Sequence, residues 1–424
     1  MAYRIAGIDV HKKMVAVIIA DVAAEGEQVH EQQKFGATES ELRRLAEWLC
    51  EREVQEAVME STAQYWTPVW AALEQYWQPL MRQREGAGPM AGQLHLAQAQ
   101  SNRGARGRKN DFRDAERLIR LLVAGELALS FVPDPQQRVW RTLTHRKYQL
   151  SKDRVRFQNR LEGLLEQMHI KLSGHLSDLL GVSGRRMLQA LADGADDPAD
   201  VASLADPTLR ATPEQLRDAL AACANLARVY RQLLKMELEY LQFIDKQITQ
   251  LEQEIAQMLA PHAEAVERLA EVPGLGVESA QQIIAEIGPT AAVFPSAKHL
   301  ASWVGVCPGE EVSAGKQHGT HSPLGNRQLR RVLTQAAHAA VKTKGSIFET
   351  KFRCLKSRLS YQEAIWAMAH RLCRLIWKIL HQGVRYDERG PAVSANAHRR
   401  RLAKMIRQLT KAGYSIQAPL ENRA

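Results

Sequence analysis

YRIAGIDVHKKMVAVIIAD, Tyr3 to Asp21, holds two runs of β-branched and apolar residues, 3–9 and 14–21, on either side of the short polar stretch VHKK. Valine and isoleucine favour a pleated backbone, and so short a polar interruption favours an antiparallel hairpin. A third run lies near Val29 to Phe35. A helix follows it: Thr38 offers a cap, and Leu42, Leu45, Trp48 and Leu49 recur at helical spacing. QEAVME (55–60) reads as the next strand, the tryptophan-rich 65–76 as a helix, and 79–83 as another strand. Trp66, Trp70 and Trp77 fall at helical spacings and suit a core. Hairpin, strand, helix and strand in this order predict a ribonuclease H-like α/β sheet whose first and fourth strands are neighbours. The stretch 85–108 is rich in Gly, Gln and Arg and carries weak structural signals. From Asp111 to Leu122 a helix opens on acidic residues, where the helix dipole favours them.

Beyond Pro135 the pattern is almost wholly helical to about Leu259. Within it, Leu234, Leu238, Leu241, Ile244, Ile248, Leu251, Ile255 and Met258 have near-heptad spacing. Such a stripe serves either a coiled coil or packing on the domain's own core. After Pro261 a compact helical region begins, in which a Gly-x-Gly turn joins two helices. A Gly/Ser-rich loop at 305–325 then leads into a basic helix. These signals divide the chain into an α/β region 1–130, a helical linker 131–260, an all-α region 261–385 carrying the serine loop, and a basic tail 386–424.

At 424 residues the chain exceeds one typical domain core. Its formal net charge of +10 is concentrated around Arg103–Arg120, Arg138–Arg160 and the tail, which points to a polyanionic partner. The five cysteines show neither a CxxC pair nor a Cys/His ligand spacing, so a structural zinc is not expected and reduced thiols in a cytoplasmic setting are. No signal peptide is recognisable, and His370, Arg371, Arg374 and Lys378 break the apolar stretch 364–380, so no membrane partner is expected. The P-loop of a phosphate-binding ATPase is missing.

GRKNDFRDAERL, Gly107 to Leu118, mixes acids with bases. Asp111 and Asp114 share a helix face, Asp9 lies in the first strand, and Glu60 ends the fourth. Four carboxylates converging on one sheet end suit Mg²⁺ or Mn²⁺, and two such ions can clamp the oxygens of phosphodiester chemistry. Arg106, Arg108, Lys109 and Arg113 would hold backbone phosphates beside them. Taken singly, each acid is equally a strand end or a helix cap. In EVSAGKQHGTHSPLGNRQLRR, Ser313 and Ser322 lie near Lys316, His318, His321 and Arg327, so either serine is a candidate nucleophile or a turn cap. The PGLG turn, with Gly274 and Gly276, offers backbone N–H groups to a phosphate, or merely connects two helices. The basic face of 141–160, with Arg146, Lys147 and Arg154, suits an RNA backbone or plain solvent.

GIDVHK, MESTAQYW, KNDFRDAERL, VPGLGVESAQQIIAEIG and LASWVGVCPGEEVSAGK…GNRQLRRVL occur in the order seen in the DEDD transposases of the IS110 family, bridge-RNA-guided recombinases that this chain resembles over nearly its whole length. The resemblance implies a RuvC-like ribonuclease H fold, a coiled-coil linker and a helical transposase domain. It places the acidic tetrad on Asp9, Glu60, Asp111 and Asp114 and the catalytic serine on Ser313, where Ala314 follows in place of the family's usual glycine. It implies RNA-guided exchange of donor and target DNA strands, with a structured noncoding guide RNA, Mg²⁺ or Mn²⁺, and a dimer or tetramer. The rival readings are a metal-dependent nuclease of the Holliday-junction-resolvase kind, with the serine loop structural, and a non-catalytic nucleic-acid scaffold.

Overall fold

The computed structural model describes residues 3–23, 26–61, 63–84, 88–99, 110–307, 311–313, 316–319 and 322–388, with 403, 406 and 407; for 23, 26–30, 311–313 and 316–319 it describes the backbone alone. The chain divides into two compact units, Met1–Pro133 and Asp134–Ala424.

In the first unit five strands form one sheet: β1 (Tyr3–Val10), β2 (Met14–Ala23), β3 (Gly26–Gly36), β4 (Glu56–Glu60) and β5 (Gln93–Ala97). Their order is β3-β2-β1-β4-β5. β1 to β3 are antiparallel, while β4 runs parallel to β1 and β5 parallel to β4. The hairpin and the β1–β4 neighbourhood expected from the sequence are both present. Alternation along the strands separates two faces. Ala6, Ile8, Val10, Ala57 and Met59 join the core covered by α1 (Glu39–Glu51), α2 (Trp66–Ala72) and α3 (Gln78–Arg82). Ile5 and Val58 face the other way, onto Ala115, Leu118 and Ile119 of α4 (Asp111–Val123).

The strand expected at 79–83 is helix instead. One turn of π-helix, Leu73–Trp77, carries α2 into α3, and Pro79 sits in the first turn of α3, where its missing N–H costs nothing. Trp77 and Met81, four residues apart, are both buried in the α1 face of the core. The fifth strand, β5, lies within the 85–108 stretch that carried weak signals.

Gly7 decides how α4 meets the sheet. A Cβ at Gly7 would lie 2.1 Å from the carbonyl oxygen of Ala115, so only glycine lets the helix backbone approach β1 this closely. Ala115 is one helical turn beyond Asp111, and Gly7 is two residues before Asp9. The close approach therefore sets the start of α4 over the end of β1.

In the second unit, α5 (Pro135–Gln167) is followed by α6 (Val182–Asp193), α7 (Pro198–Ser203), α8 (Pro213–Leu220) and α9 (Arg228–Leu259). The inner stripe of α9 packs within the chain: Leu234, Leu238 and Leu241 share a core with Leu161, Leu164 and Leu165 of α5 and with α6 to α8. Of the two uses open to that stripe, this is the intrachain one. The remaining helices are α10 (Ala263–Ala270), α11 (Val277–Ile287), α12 (Ala297–Val304), α13 (Arg327–Ala340), α14 (Ile347–Lys356) and α15 (Tyr361–Gln382). Between α12 and α13 lies a two-stranded hairpin, β6 (Glu311–Ser313) and β7 (Lys316–Gly319). Among the described residues, no helix is long and apolar enough to cross a membrane.

Candidate active site

Asp9 and Glu60 sit at the same edge of the sheet because β1 and β4 are parallel and Ile8 is in register with Met59. Alternation turns both away from the α1 core, to the face that α4 covers. α4 opens with Asn110 as its cap, the side chain accepting the Phe112 N–H at 3.1 Å, which leaves Asp111 and Asp114 in the first turn.

Three side chains converge there. The Nε2 of His11 lies 3.0 Å from Asp9 Oδ2 and 3.3 Å from Asp111 Oδ1. Lys34 donates from Nζ to Asp111 Oδ2 at 2.9 Å. Ligand atoms of Asp9, His11 and Asp111 all lie within 4.8 Å of one another. Glu60, half-buried, and Asp114, exposed, stand beside this trio and outside it. His11 and Lys34 were not anticipated from the sequence. A signal for His11 existed: it follows Asp9 by two residues, the spacing that returns a side chain to the same face of a strand.

The two carboxylates of the trio are perturbed in opposite directions. Burial pushes Asp9 above its usual value; His11 opposes this, and the negative charges of Asp114 and Asp111 add to it. The hydrogen bond from Lys34 holds Asp111 below its usual value, with the charges of Lys34 and His11 acting the same way. Asp9 is thus a carboxylate whose charge its surroundings leave poorly compensated.

In the second unit Ser313 ends β6 and pairs in register with Lys316 of β7. The side chains of Ser313 and Lys316, and all of Arg106, Arg108 and Lys109, lie outside the described residues. Ser322 is engaged structurally: its Oγ accepts the indole N–H of Trp366 at 2.7 Å.

A family model described as a transposase, for the DEDD domain of IS110, matches residues 6–170, and a model of the IS116/IS110/IS902 transposase family matches 266–353. The chain belongs to the IS110 family of transposases. An IS110 insertion-element protein of Streptomyces coelicolor is 30% identical over 125 residues, 29% of this chain and 31% of that protein. The y4pF/y4sB protein of Sinorhizobium fredii, named as a candidate transposase, is 26% identical over 180 residues, 41% of this chain and 46% of its own length. A second S. fredii candidate transposase, y4rJ, is 26% identical over 337 residues, 74% of this chain and 76% of its own length. The chain thus spans less than half of the first two relatives and about three quarters of the third.

An IS110-family chain implies a divalent metal, and the donors here fit one. Carboxylate oxygens of Asp9 and Asp111 face one point together with an imidazole nitrogen, a set suited to Mg²⁺ or Mn²⁺. The raised Asp9 is the group whose charge such a cation would compensate.

Several residues expected to touch nucleic acid have other tasks. Lys147 is buried on α5, and its ammonium is held 2.9 Å from both Glu252 and Glu278. It is corrected from an RNA contact to a buried helix tie, because α9 and α11 cover the face that a lone α5 would show to solvent. Gly274, with φ +86°, is corrected likewise. A Cβ there would meet the Ala336 carbonyl at 2.3 Å, so this glycine exists to bring its turn against α13. Arg154 is committed to Asp245, 2.7 Å away. Arg113, Arg146 and Arg327 are exposed, and Gly276 caps α11 with open space around it.

Proposed function

We propose that this chain is a transposase that cuts and rejoins DNA at the acidic face of β1, with Ser313 as the nucleophile. The observation that carries the reading is the convergence of Asp9, His11 and Asp111 where the sheet ends and α4 begins. A bound Mg²⁺ or Mn²⁺ would polarise the scissile phosphate and offset its developing charge. Asp9 and Asp111 would hold it directly, with Glu60 and Asp114 completing the set from the neighbouring strand end and the next helix position. The Ser313 Oγ would attack phosphorus, forming a phosphoserine bond and releasing a 3′-hydroxyl; the serine gives up a proton and the departing oxygen takes one up. The engagement of Ser322 with Trp366 favours Ser313 for this role.

Donor and target DNA are the substrates in this reading, and a structured noncoding RNA selects the sites by base pairing. The protein then contacts mainly backbone, which suits exposed arginines such as Arg113, Arg146 and Arg327 and a net charge of +10. A second copy of the chain is the proposed protein partner. It is supported by an outer stripe on α9, where Val229, Leu233, Met236, Tyr240 and Phe243 alternate at four- and three-residue steps and are all exposed. Tyr240→Glu is expected to shift the protein to a smaller species by light scattering, and an unchanged mass removes that stripe from the interface.

The chemistry is tested by incubating the protein with its element's DNA ends and flanking noncoding RNA in Mg²⁺, then probing a denaturing gel. A protein–DNA adduct that vanishes in both Asp9→Asn and Ser313→Ala is expected. Cleavage that survives Ser313→Ala would leave a resolvase-like nuclease, and activity indifferent to both changes would leave a scaffold.

A further inference from the structure

Lys34 sits on the edge strand β3, yet it reaches the acidic trio. The register runs Asp9 to Ala16 to Lys34 across β1, β2 and β3, so the three side chains share the face that α4 covers. Ala16, between them, is only a methyl group. The lysine stem passes over it to place Nζ 2.9 Å from Asp111 Oδ2 and 5.3 Å from the Phe112 ring centre. Asp111 therefore has both oxygens engaged, one by Lys34 and one by His11. The two partners differ in kind. A neutral imidazole has a lone pair to give a metal, whereas an ammonium has only protons and can only compete for the carboxylate.

Resting on the metal reading above, we propose that Lys34 is a tethered cation that holds Asp111 in the metal-free protein, competes with the divalent ion for it, and moves to the phosphate of bound DNA once the ion is in place. A flexible four-carbon stem and a compact point charge suit that exchange, because the same ammonium can pair with a carboxylate or with a phosphate oxygen. Lys34 is half-exposed, so its removal should leave the fold intact.

The test uses the full chain and Lys34→Met, which keeps the stem and deletes the charge. Mn²⁺ is titrated calorimetrically without nucleic acid. Removing a competing charge from a solvent-screened site should tighten Mn²⁺ binding by about 3- to 10-fold. Unchanged or weaker binding overturns the competition. A short DNA duplex is then titrated by anisotropy with and without Mn²⁺. Wild type and Lys34→Met should bind alike without metal, and Mn²⁺ should strengthen wild type more than the variant; equal strengthening overturns the transfer to phosphate. Lys34→Arg should recover the wild-type gain. A wild type that takes up no Mn²⁺ sinks the metal reading itself, and the wild-type trace alone shows it.

Discussion

Asp9 and Glu286 are both carboxylates set deep in their units, and their surroundings treat them in opposite ways. Around Asp9 like charges gather: Asp111 and Asp114 open the helix above it, and only His11 and Lys34 stand among them. Around Glu286, on α11, every neighbour complements it. His145 lies at 2.6 Å, Asn326 donates at 2.7 Å, and Arg141 stands 3.4 Å away. Although burial pushes Glu286 upward, the His145 hydrogen bond and the Arg141 charge hold it below its usual value. Asp245 follows the same rule: burial pushes it up, and hydrogen bonds from Arg185 and Arg154 win. A fold optimised for stability alone matches its charges, as the helical unit does. The unmatched cluster on the sheet costs stability, and that cost marks it as a place built to bind something positive.

The largest effect is expected where matching is deepest. Glu286→Ala leaves Arg141 and His145 without their acid and should destabilise the chain by about 3–5 kcal/mol in urea unfolding. A cost near zero would mean that the network does not hold α5, α11 and α13 together. Next comes Gly7→Ala, whose methyl meets the Ala115 carbonyl; a loss of about 3 kcal/mol is expected. Asp9→Asn should do the reverse and raise the melting temperature, by roughly 1 kcal/mol of stability, while abolishing adduct formation. A destabilised Asp9→Asn would put Asp9 among the matched charges and erase the contrast. Smallest is Arg156→Ala, which removes an exposed pair with Asp153 and should change stability by no more than about 0.5 kcal/mol.

pH sharpens the same contrast through opposite signs. The raised Asp9 keeps its proton longer in the folded chain, so its contribution favours folding at low pH and is lost as pH rises from the usual carboxylate range through its raised value. The depressed Glu286 contributes above its ordinary value of 4.5 and loses that contribution as pH falls through its lowered one. In melting curves between about pH 4 and pH 7, the advantage of Asp9→Asn over wild type should grow with pH, and the deficit of Glu286→Gln should shrink as pH falls.

The sheet was legible because its information is local. β-branched runs and one polar turn specify the hairpin, and an acid near a strand end or at a helix start is visible in a few residues. What escaped depends on distant partners. Lys147 reads as part of a basic face until α9 and α11, about a hundred residues on, cover it with Glu252 and Glu278. Gly274 reads as a phosphate turn until α13 supplies the backbone that its missing Cβ accommodates. β5 hides in a polar stretch because strand β4 provides its pairing, and α3 was mistaken for a strand because Trp77 and Met81 look apolar in either periodicity. Lys34 escaped because its place on the α4 face follows from a register running across three strands.

Crystals of the full chain soaked in Mn²⁺ and measured at the manganese edge test the acidic face most directly. An anomalous peak within coordination distance of one oxygen each of Asp9 and Asp111, absent in crystals of Asp9→Asn, is the expected result. Soaked crystals in which no peak touches those two carboxylates, or in which the peak survives Asp9→Asn unchanged, would contradict it.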